Sequence, residues 1–478
     1  MAFTDENNHI PKRLYFVGAG GIGMANLVRY FLSKGSEVAG YDRTSTPLTD
    51  ALRAEGADIT FTDDENLIPL PYRDPDETLV VYTPAVSDNN RILSYFRRGG
   101  FDVIKRARLL GIITRHSRGI CVAGSHGKTT TCSMTANILR ESRLGCNAFL
   151  GGILRNTGSN LVLCEGSDLS VIEADEYDRS FHQLTPYIAV VTSCDPDHLD
   201  IYGDEKHYLE AFSIFSSLIR PGGKLIMHTG LKMRPDVQPG VDIVTYSGGT
   251  DGDWHADDIR YGEGTLSFTL VGPDGLRIPD IPLGVPVEIN IDNAVAAAAA
   301  AITAGATADD VRRGISTFKG AKRRFEVYLD GKEGTPVLID DYAHSPNEVK
   351  ASIRSVRKLY PGKEIAVIFQ PHLYTRTRDF APLFAEALSE AGRVIMPEIY
   401  PARELPIPGV DSMLILNDVK SPRKEYCERK DLLNLIKNSN FEVLMTLGAA
   451  DLDSLLPDIV DILRSEAKGQ SPADVSIK

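Results

Sequence analysis

The chain has 478 residues, of which 42% are hydrophobic and 24% are charged, and at about 150 residues per domain this length predicts three globular domains. The formal net charge is −13, from 52 Lys and Arg against 65 Asp and Glu, which argues against non-specific binding to nucleic acid or to anionic membranes. Six scattered cysteines without a C-x-x-C pair, a polar N-terminus and the lack of a bilayer-length apolar run exclude a disulfide framework, a signal peptide and a membrane span, so we expect a cytoplasmic protein.

The first predicted elements are a strand, a glycine-rich turn and a helix. The apolar run 13–17 leads into Gly18-Ala-Gly-Gly-Ile-Gly23, which fits G-x-G-x-x-G, and then into an apolar-periodic helix that ends near residue 33. A second strand ends at Asp42, which either binds a ribose hydroxyl or caps a turn. This order is typical of a Rossmann-like domain that holds a diphosphate at a helix N-terminus, and we assign it to residues 1–113.

A second phosphate-binding pattern follows the apolar run 119–123. Gly124-Ser-His-Gly-Lys-Thr-Thr-Thr131 precedes a helix-compatible segment and keeps the end of a P-loop, although Val122 stands where the first glycine would fall. Backbone N–H groups and the positive helix end attract phosphate, Lys128 adds a charge, and Thr129 offers a hydroxyl to Mg²⁺. The alternative is a tight turn with a solvated lysine. A nicotinamide-dependent oxidoreductase, which the first glycine motif also fits, has no need of this loop.

Two later strands of the middle segment end in acidic residues. One leads into Glu173-Ala-Asp-Glu-Tyr-Asp178, and the next into Cys194-Asp-Pro-Asp-His198. Ligands and metals collect at the carboxyl ends of parallel strands, so the acids and His198 are either site residues or a solvated turn and a helix-start histidine. A small antiparallel β excursion is predicted over 251–290, before an alanine-rich helix over 294–304. Residues 114–321 are thus predicted to form a central P-loop-type ATPase domain with a parallel sheet and a small β subsheet.

The last segment, 322–478, reads as a second Rossmann-like domain. Strands are predicted at 337–340 and 364–369, with a helix over 347–359 between them and a polar tail from Lys468. The loop after the second strand, Gln370–Asp379, carries two arginines. Each arginine suits either a carboxylate ligand, through bidentate contact, or a surface salt bridge.

Together these stretches resemble the Mur ligase family, most closely its alanine-adding branch, over nearly the whole chain. The stretches that carry the resemblance are Val17–Met24, Gly124–Thr131, Glu173–Glu176, Asp197-His198, Lys322–Glu326, Asp340–His344, Phe369–Arg378 and Pro406–Ser412.

The resemblance implies an ATP-dependent ligase that joins L-alanine to UDP-N-acetylmuramate through an acyl phosphate, in peptidoglycan precursor synthesis. It places the UDP-substrate on Gly20, Gly21, Gly23, Asp42, Thr83 and Ala85. It places ATP on Gly124, Ser125, His126, Gly127, Lys128, Thr129, Thr130, Asn290, Asn293, Arg324 and Asp341, and Mg²⁺ on Thr129, Glu173 and His198. It places L-alanine on His372 and Arg376, and the catalytic roles on Lys128, His198, Asp341 and His344.

Some questions stay open from the sequence. Asn290 is either an adenine contact or a helix cap, either His198 or His344 takes the amine proton, and the protein is a monomer or a homodimer. A ligase that attaches a whole tripeptide to the same nucleotide is a close variant. An oxidoreductase and a non-catalytic nucleotide sensor are the alternatives from other classes.

Overall fold

The computed structural model describes residues 11–402, 404–449 and 451–469. The described chain divides into two compact units. The first contains the residues up to His255 together with Val271–Leu276 and Asn293–Gly314, and the second contains Ala256–Leu270, Arg277–Asp292 and the chain from Ile315 onwards. Within these ranges no helix has the length and apolar character needed to cross a membrane. Beyond its first two residues, the predicted polar tail lies outside the described residues.

The first unit begins with a parallel sheet of five strands in the order β3-β2-β1-β4-β5. Its elements in chain order are β1 (Arg13–Val17), α1 (Ile22–Ser33), β2 (Glu37–Tyr41), α2 (Pro47–Ala54), β3 (Asp58–Thr60), β4 (Thr78–Tyr82), α3 (Arg91–Arg98), β5 (Asp102–Lys105) and α4 (Arg106–Arg115). Residues Leu14 to Val17 of β1 are completely buried, as expected for a central strand covered on both faces. The predicted strand, turn, helix and strand are confirmed.

A second sheet of the first unit carries the phosphate loop. Its elements are β6 (Arg118–Ala123), α5 (Lys128–Glu141), β7 (Asn147–Leu154), β8 (Ser159–Val162), β9 (Leu169–Glu173), β10 (Ile188–Val191), α6 (Leu199–Tyr202), α7 (Glu205–Ser217), β11 (Lys224–His228) and β12 (Asp242–Ser247). The strand order is β12-β11-β10-β6-β9-β7-β8, in which β8 runs antiparallel to β7. The phosphate-loop strand β6 lies between β10 and β9, so the acid-ending strand β9 is its direct neighbour.

The predicted β excursion is present as β13 (Trp254–Gly262), β14 (Thr265–Val271) and β15 (Arg277–Pro282), which are neighbours in the order β15-β14-β13. They precede α8 (Ile289–Ala304) and α9 (Ala308–Ser316). The prediction that the alanine-rich helix starts at residue 294 is wrong, because α8 already begins at Ile289. The Asn290 side chain donates to the Val285 carbonyl at 3.2 Å, and this contact ties the first turn of α8 to the chain that precedes it.

The second unit contains a six-stranded sheet in the order β16-β17-β21-β18-β19-β20. Only β16 runs antiparallel to its neighbour among the pairs described. The elements are β16 (Glu326–Asp330), β17 (Val337–Asp341), α10 (Pro346–Leu359), β18 (Ile365–Phe369), α11 (Tyr374–Leu388), β19 (Arg393–Met396), α12 (Met413–Leu416), β20 (Arg423–Tyr426), α13 (Leu432–Lys437), β21 (Val443–Leu447) and α14 (Leu456–Gly469). The predicted α/β class with three sheets is confirmed.

The two boundaries between the three predicted domains stay a prediction. The boundary at 113/114 falls near the end of α4, and the boundary at 321/322 falls in the loop between α9 and β16.

Candidate active site

The phosphate loop turns from β6 into α5 through two glycines with positive φ. Gly124 has φ +141°, and a Cβ there would lie 2.1 Å from the Thr192 hydroxyl oxygen, so a side chain does not fit. Gly127, at φ +82°, is the N-cap of α5 and supplies no side-chain cap. The first N–H groups of this 14-residue helix therefore face the loop without a capping side chain, as an anion-binding helix start requires.

The Lys128 side chain donates hydrogen bonds to two acceptors beside this loop. Its ammonium donates to the Gly124 carbonyl at 2.6 Å and to the Glu176 carboxylate at 2.8 Å. Glu176 is only 1% exposed. Burial raises the pKa of Glu176, and the Lys128 charge opposes that shift. The lysine is therefore oriented by a buried carboxylate before any phosphate arrives.

Thr129 and Glu173 form the second polar pair at the loop. The Thr129 hydroxyl donates to one Glu173 oxygen at 2.9 Å, and the Gly151 N–H donates to the other at 3.0 Å. A hydroxyl and a carboxylate at this separation are oxygen ligands of the kind that Mg²⁺ prefers, and Mg²⁺ also keeps waters and phosphate oxygens. The pair therefore fits the predicted metal.

His198 follows β10 with φ +52°. Its Nε2 atom lies 3.8 Å from an Asp197 oxygen, and its ring centroid lies 5.2 Å from that of Tyr177 in an edge-to-face arrangement. Among the residues that the structure describes, no three His, Cys, Asp or Glu side chains lie close enough to hold a metal ion. The structure brings Thr129 and Glu173 together, whereas the role of His198 as a metal ligand stays a prediction.

Other residues of the phosphate loop and of α5 form hydrogen bonds with neighbouring segments of the chain. The Ser125 hydroxyl donates to the Asp195 carbonyl at 2.6 Å, and the His126 N–H donates to the Ser193 hydroxyl at 2.8 Å. Thr130 lies in the first turn of α5. Asn293 is buried and accepts from the Thr131 hydroxyl at 3.1 Å, so its contact here is to α5.

A cavity of about 380 Å³ lies in the first unit between the glycine turn and the segment that follows β9. It is lined by Gly21, Ile22, Gly23, Met24, Thr83, Pro84, Ala85, Lys105, Arg106, Ala107, Asp175, Tyr177, Asp178 and Ser180. Four of the six predicted UDP-substrate residues are in this lining. The other two bind each other, because the Gly20 N–H donates to the Asp42 carboxylate at 2.7 Å, so in this structure Asp42 caps the turn.

Sequence reasoning missed the basic residues of this cavity. The Arg106 guanidinium packs directly on Gly23, since a Cβ on that glycine would lie 2.0 Å from its Nη1 atom. Lys105 lies 3.8 Å from the Asp178 carboxylate. Both cations stand where β5 passes into α4, at the same edge of the parallel sheet as the glycine turn, with β4 between β5 and β1.

In the second unit, Asp341 is engaged within the fold. Its carboxylate accepts from the Ser352 hydroxyl at 2.7 Å and from the Phe325 N–H at 3.2 Å. Burial raises its pKa, while the hydrogen bonds and the exposed Arg324 charge oppose the shift. The contacts fix the carboxyl end of β17.

The predicted amino-acid residues lie near His344. Burial lowers the pKa of His372, the charges of Arg376 and His344 lower it further, and the Glu404 carboxylate opposes the shift. The His372 ring stacks on Tyr400 with centroids 5.9 Å apart. His344 Nδ1 lies 2.9 Å from the Tyr342 carbonyl. The guanidinium of Arg376 is the group here that suits a small carboxylate, and the roles of His372 and Arg376 in amino-acid binding stay a prediction.

These features define an α/β nucleotide-binding protein with a phosphate loop and a cavity beside its glycine turn. Three models of known protein families match successive parts of the chain. The catalytic domain of the Mur ligase family matches residues 13–118, the Mur ligase middle domain matches 122–301, and the glutamate ligase domain of Mur ligases matches 323–443. The chain belongs to the Mur ligase family.

The chain is similar to known proteins over nearly its full length and theirs. The UDP-N-acetylmuramate–L-alanine ligase of Parabacteroides distasonis is 53% identical over 94% of this chain and 97% of its own. That of Phocaeicola vulgatus is 52% identical over 95% of this chain and 99% of its own. Among solved structures, the UDP-N-acetylmuramate–alanine ligase MurC of Thermotoga maritima superposes with a TM-score of 0.72 at 25% identity, covering 96% of this chain and 100% of that one.

Proposed function

We propose that the protein is an ATP-dependent ligase that joins L-alanine to UDP-N-acetylmuramate and releases ADP and phosphate. The observation that carries this proposal is that one chain segment leads from the phosphate loop's partner Glu173 into the lining of the cavity. The cavity segment 175–180 follows directly after Glu173, and Glu173 holds Thr129 of the loop. A nucleotide sugar whose diphosphate lies on the glycine turn would present its other end beside the phosphates of ATP.

Activation of the muramate carboxylate is the first chemical step. A carboxylate is a poor acyl donor, so the γ-phosphoryl group of ATP is transferred to a carboxylate oxygen, which gives an acyl phosphate and ADP. Lys128 and the N–H groups of α5 offset charge on the transferring group. Mg²⁺, held by Thr129, Glu173 and His198, would neutralise further charge on the phosphate oxygens.

Amide formation is the second step. The neutral amine of L-alanine attacks the acyl carbon, and the tetrahedral intermediate expels inorganic phosphate. His372 and Arg376 would hold the amino acid, with Arg376 on its carboxylate. Either His198 or His344 takes the proton that the amine loses. Both small substrates and the nucleotide sugar are water-soluble metabolites, so a cytoplasmic role in peptidoglycan precursor synthesis is part of the proposal.

The test uses the purified protein with ATP, Mg²⁺ and UDP-N-acetylmuramate labelled with heavy oxygen in its carboxylate. We expect phosphate release that depends on L-alanine, and one labelled oxygen in the phosphate by mass spectrometry. Phosphate release that depends on a tripeptide instead of L-alanine would show the variant ligase. Phosphate without label would exclude the acyl-phosphate route.

A further inference from the structure

We infer that Tyr177 is a positioning residue that couples the filling of the substrate cavity to the orientation of His198, and thereby to binding of the metal–nucleotide complex. The inference rests on the proposed function. Tyr177 belongs both to the lining of the cavity and to the contact shell of His198. A molecule in the cavity that contacts Tyr177 would therefore act on His198 through this side chain.

The backbone around Tyr177 is fixed on both sides. Its own N–H donates to the Asp175 carboxylate at 3.1 Å, and the Phe181 N–H donates to the Asp175 carbonyl at 2.9 Å. The Glu176 carbonyl accepts from the Tyr202 hydroxyl at 2.6 Å. These contacts hold the backbone of the turn, so a ligand in the cavity would act on the side chain of Tyr177.

Tyr177 is 52% exposed, so its side chain is accessible to a ligand in the cavity. It meets the His198 ring at 5.2 Å between centroids with an interplanar angle of 80°. The His198 backbone stands in the left-handed region at φ +52°, and its Nε2 atom lies 3.8 Å from an Asp197 oxygen. The aromatic contact is therefore a principal restraint on the direction in which this imidazole points.

A ligand in the cavity would cover the exposed face of Tyr177 and restrict its rotation. The restriction passes to His198 because the two rings pack against each other. A ring pair of this geometry is worth enough to change a binding constant about threefold to tenfold. By linkage, UDP-N-acetylmuramate tightens binding of the metal–nucleotide complex, and the metal–nucleotide complex tightens binding of UDP-N-acetylmuramate by the same factor.

The experiment measures that factor directly. Titration calorimetry gives the affinity of the full-length protein for the magnesium complex of a non-hydrolysable ATP analogue, with and without saturating UDP-N-acetylmuramate. We expect a ratio of about threefold to tenfold for the native protein, the same ratio for Tyr177→Phe, and a ratio near one for Tyr177→Ala and Tyr177→Leu. His198→Ala is expected to lose the ratio too, and adding Tyr177→Ala to it should change nothing more.

Tyr426→Ala is the matched control, because Tyr426 is a similarly exposed tyrosine (45%) on β20 of the second unit. It should keep the native ratio. A native ratio of one, an unchanged ratio in both Tyr177→Ala and Tyr177→Leu, or loss of the ratio in Tyr177→Phe each overturns the inference. If the native protein binds no UDP-N-acetylmuramate at all, the proposed function fails as well, so the two failures are told apart.

Discussion

At the scale of single residues, the site depends on charges that are arranged before substrate binds. Lys128 shows this best, because a nearly buried carboxylate, Glu176, holds it at the loop. The same pairing makes the lysine important for stability, since removal of one member of a buried ion pair leaves the other without compensation.

Substitution of Lys128 separates the two roles. Lys128→Met should lower the rate of phosphate release about a hundredfold to a thousandfold and the free energy of unfolding by on the order of 2–3 kcal/mol. Adding Glu176→Gln should restore most of the stability and none of the activity. Lys206→Met, at a side chain that is 79% exposed, is the control for both measurements. Recovery of activity in the double variant would contradict the role given to Lys128.

Arg106 is the residue whose role follows most directly from the cavity. It lies against Gly23 at the start of α1, where the diphosphate of the nucleotide sugar would bind. Arg106→Ala should raise KM for UDP-N-acetylmuramate about tenfold to a hundredfold, because a charge-assisted contact to phosphate is worth about 1.5–3 kcal/mol. KM for L-alanine should stay the same. Arg108→Ala, an exposed arginine of the same helix outside the lining, is the control, and an equal effect of both substitutions would contradict the assignment.

At the scale of elements, a buried titratable carboxyl group, that of Asp340, lies on β17 where this strand pairs with β21. Asp340 is 1% exposed and accepts from the Thr446 hydroxyl at 2.6 Å across the two strands. Burial raises its pKa from 3.8 to about 6, although Thr446 and Arg323 oppose the shift. Between these two pKa values the folded state keeps a proton that the unfolded state has lost.

The sign of the pH dependence follows from this difference. The contribution of Asp340 to the free energy of unfolding is largest below pH 3.8 and falls as pH rises to about 6, by about 2–3 kcal/mol in all. Asp340→Asn keeps an acceptor for Thr446 and removes the titration. Denaturant unfolding from pH 4 to 7.5 should therefore show the variant gaining stability relative to the native protein as pH rises. A constant difference between the two proteins across this range would contradict the raised pKa.

The elements were predictable from the sequence wherever local pattern decides them. The period of the apolar residues indicated β1, α1 and β2, and the glycine spacing indicated the phosphate loop. The start of α8 was not predictable, because its first turn is fixed by the Asn290 contact to Val285 and not by the alanine run. Arg106 and Tyr177 were also missed, since their place in the cavity depends on strand order and on a turn with two left-handed residues. The proposed roles of Asp341, His344, His372 and Arg376 stay predictions.

At the scale of the whole molecule, the two units should respond to different ligands and substitutions. The cavity proposed to bind UDP-N-acetylmuramate is lined by described residues of the first unit, whereas Asp340 belongs to the second. A chain of this size is not expected to unfold in one two-state step. Scanning calorimetry should show UDP-N-acetylmuramate at 100 times its Kd stabilising one transition by about 2.7 kcal/mol, while Asp340→Asn at pH 7 shifts the other.

An ATP analogue with Mg²⁺ should shift both, because Arg324 and Asp341 of the second unit are proposed to contact ATP. If the analogue shifts only the transition that UDP-N-acetylmuramate shifts, those two residues do not bind the nucleotide, and the phosphate loop holds it alone.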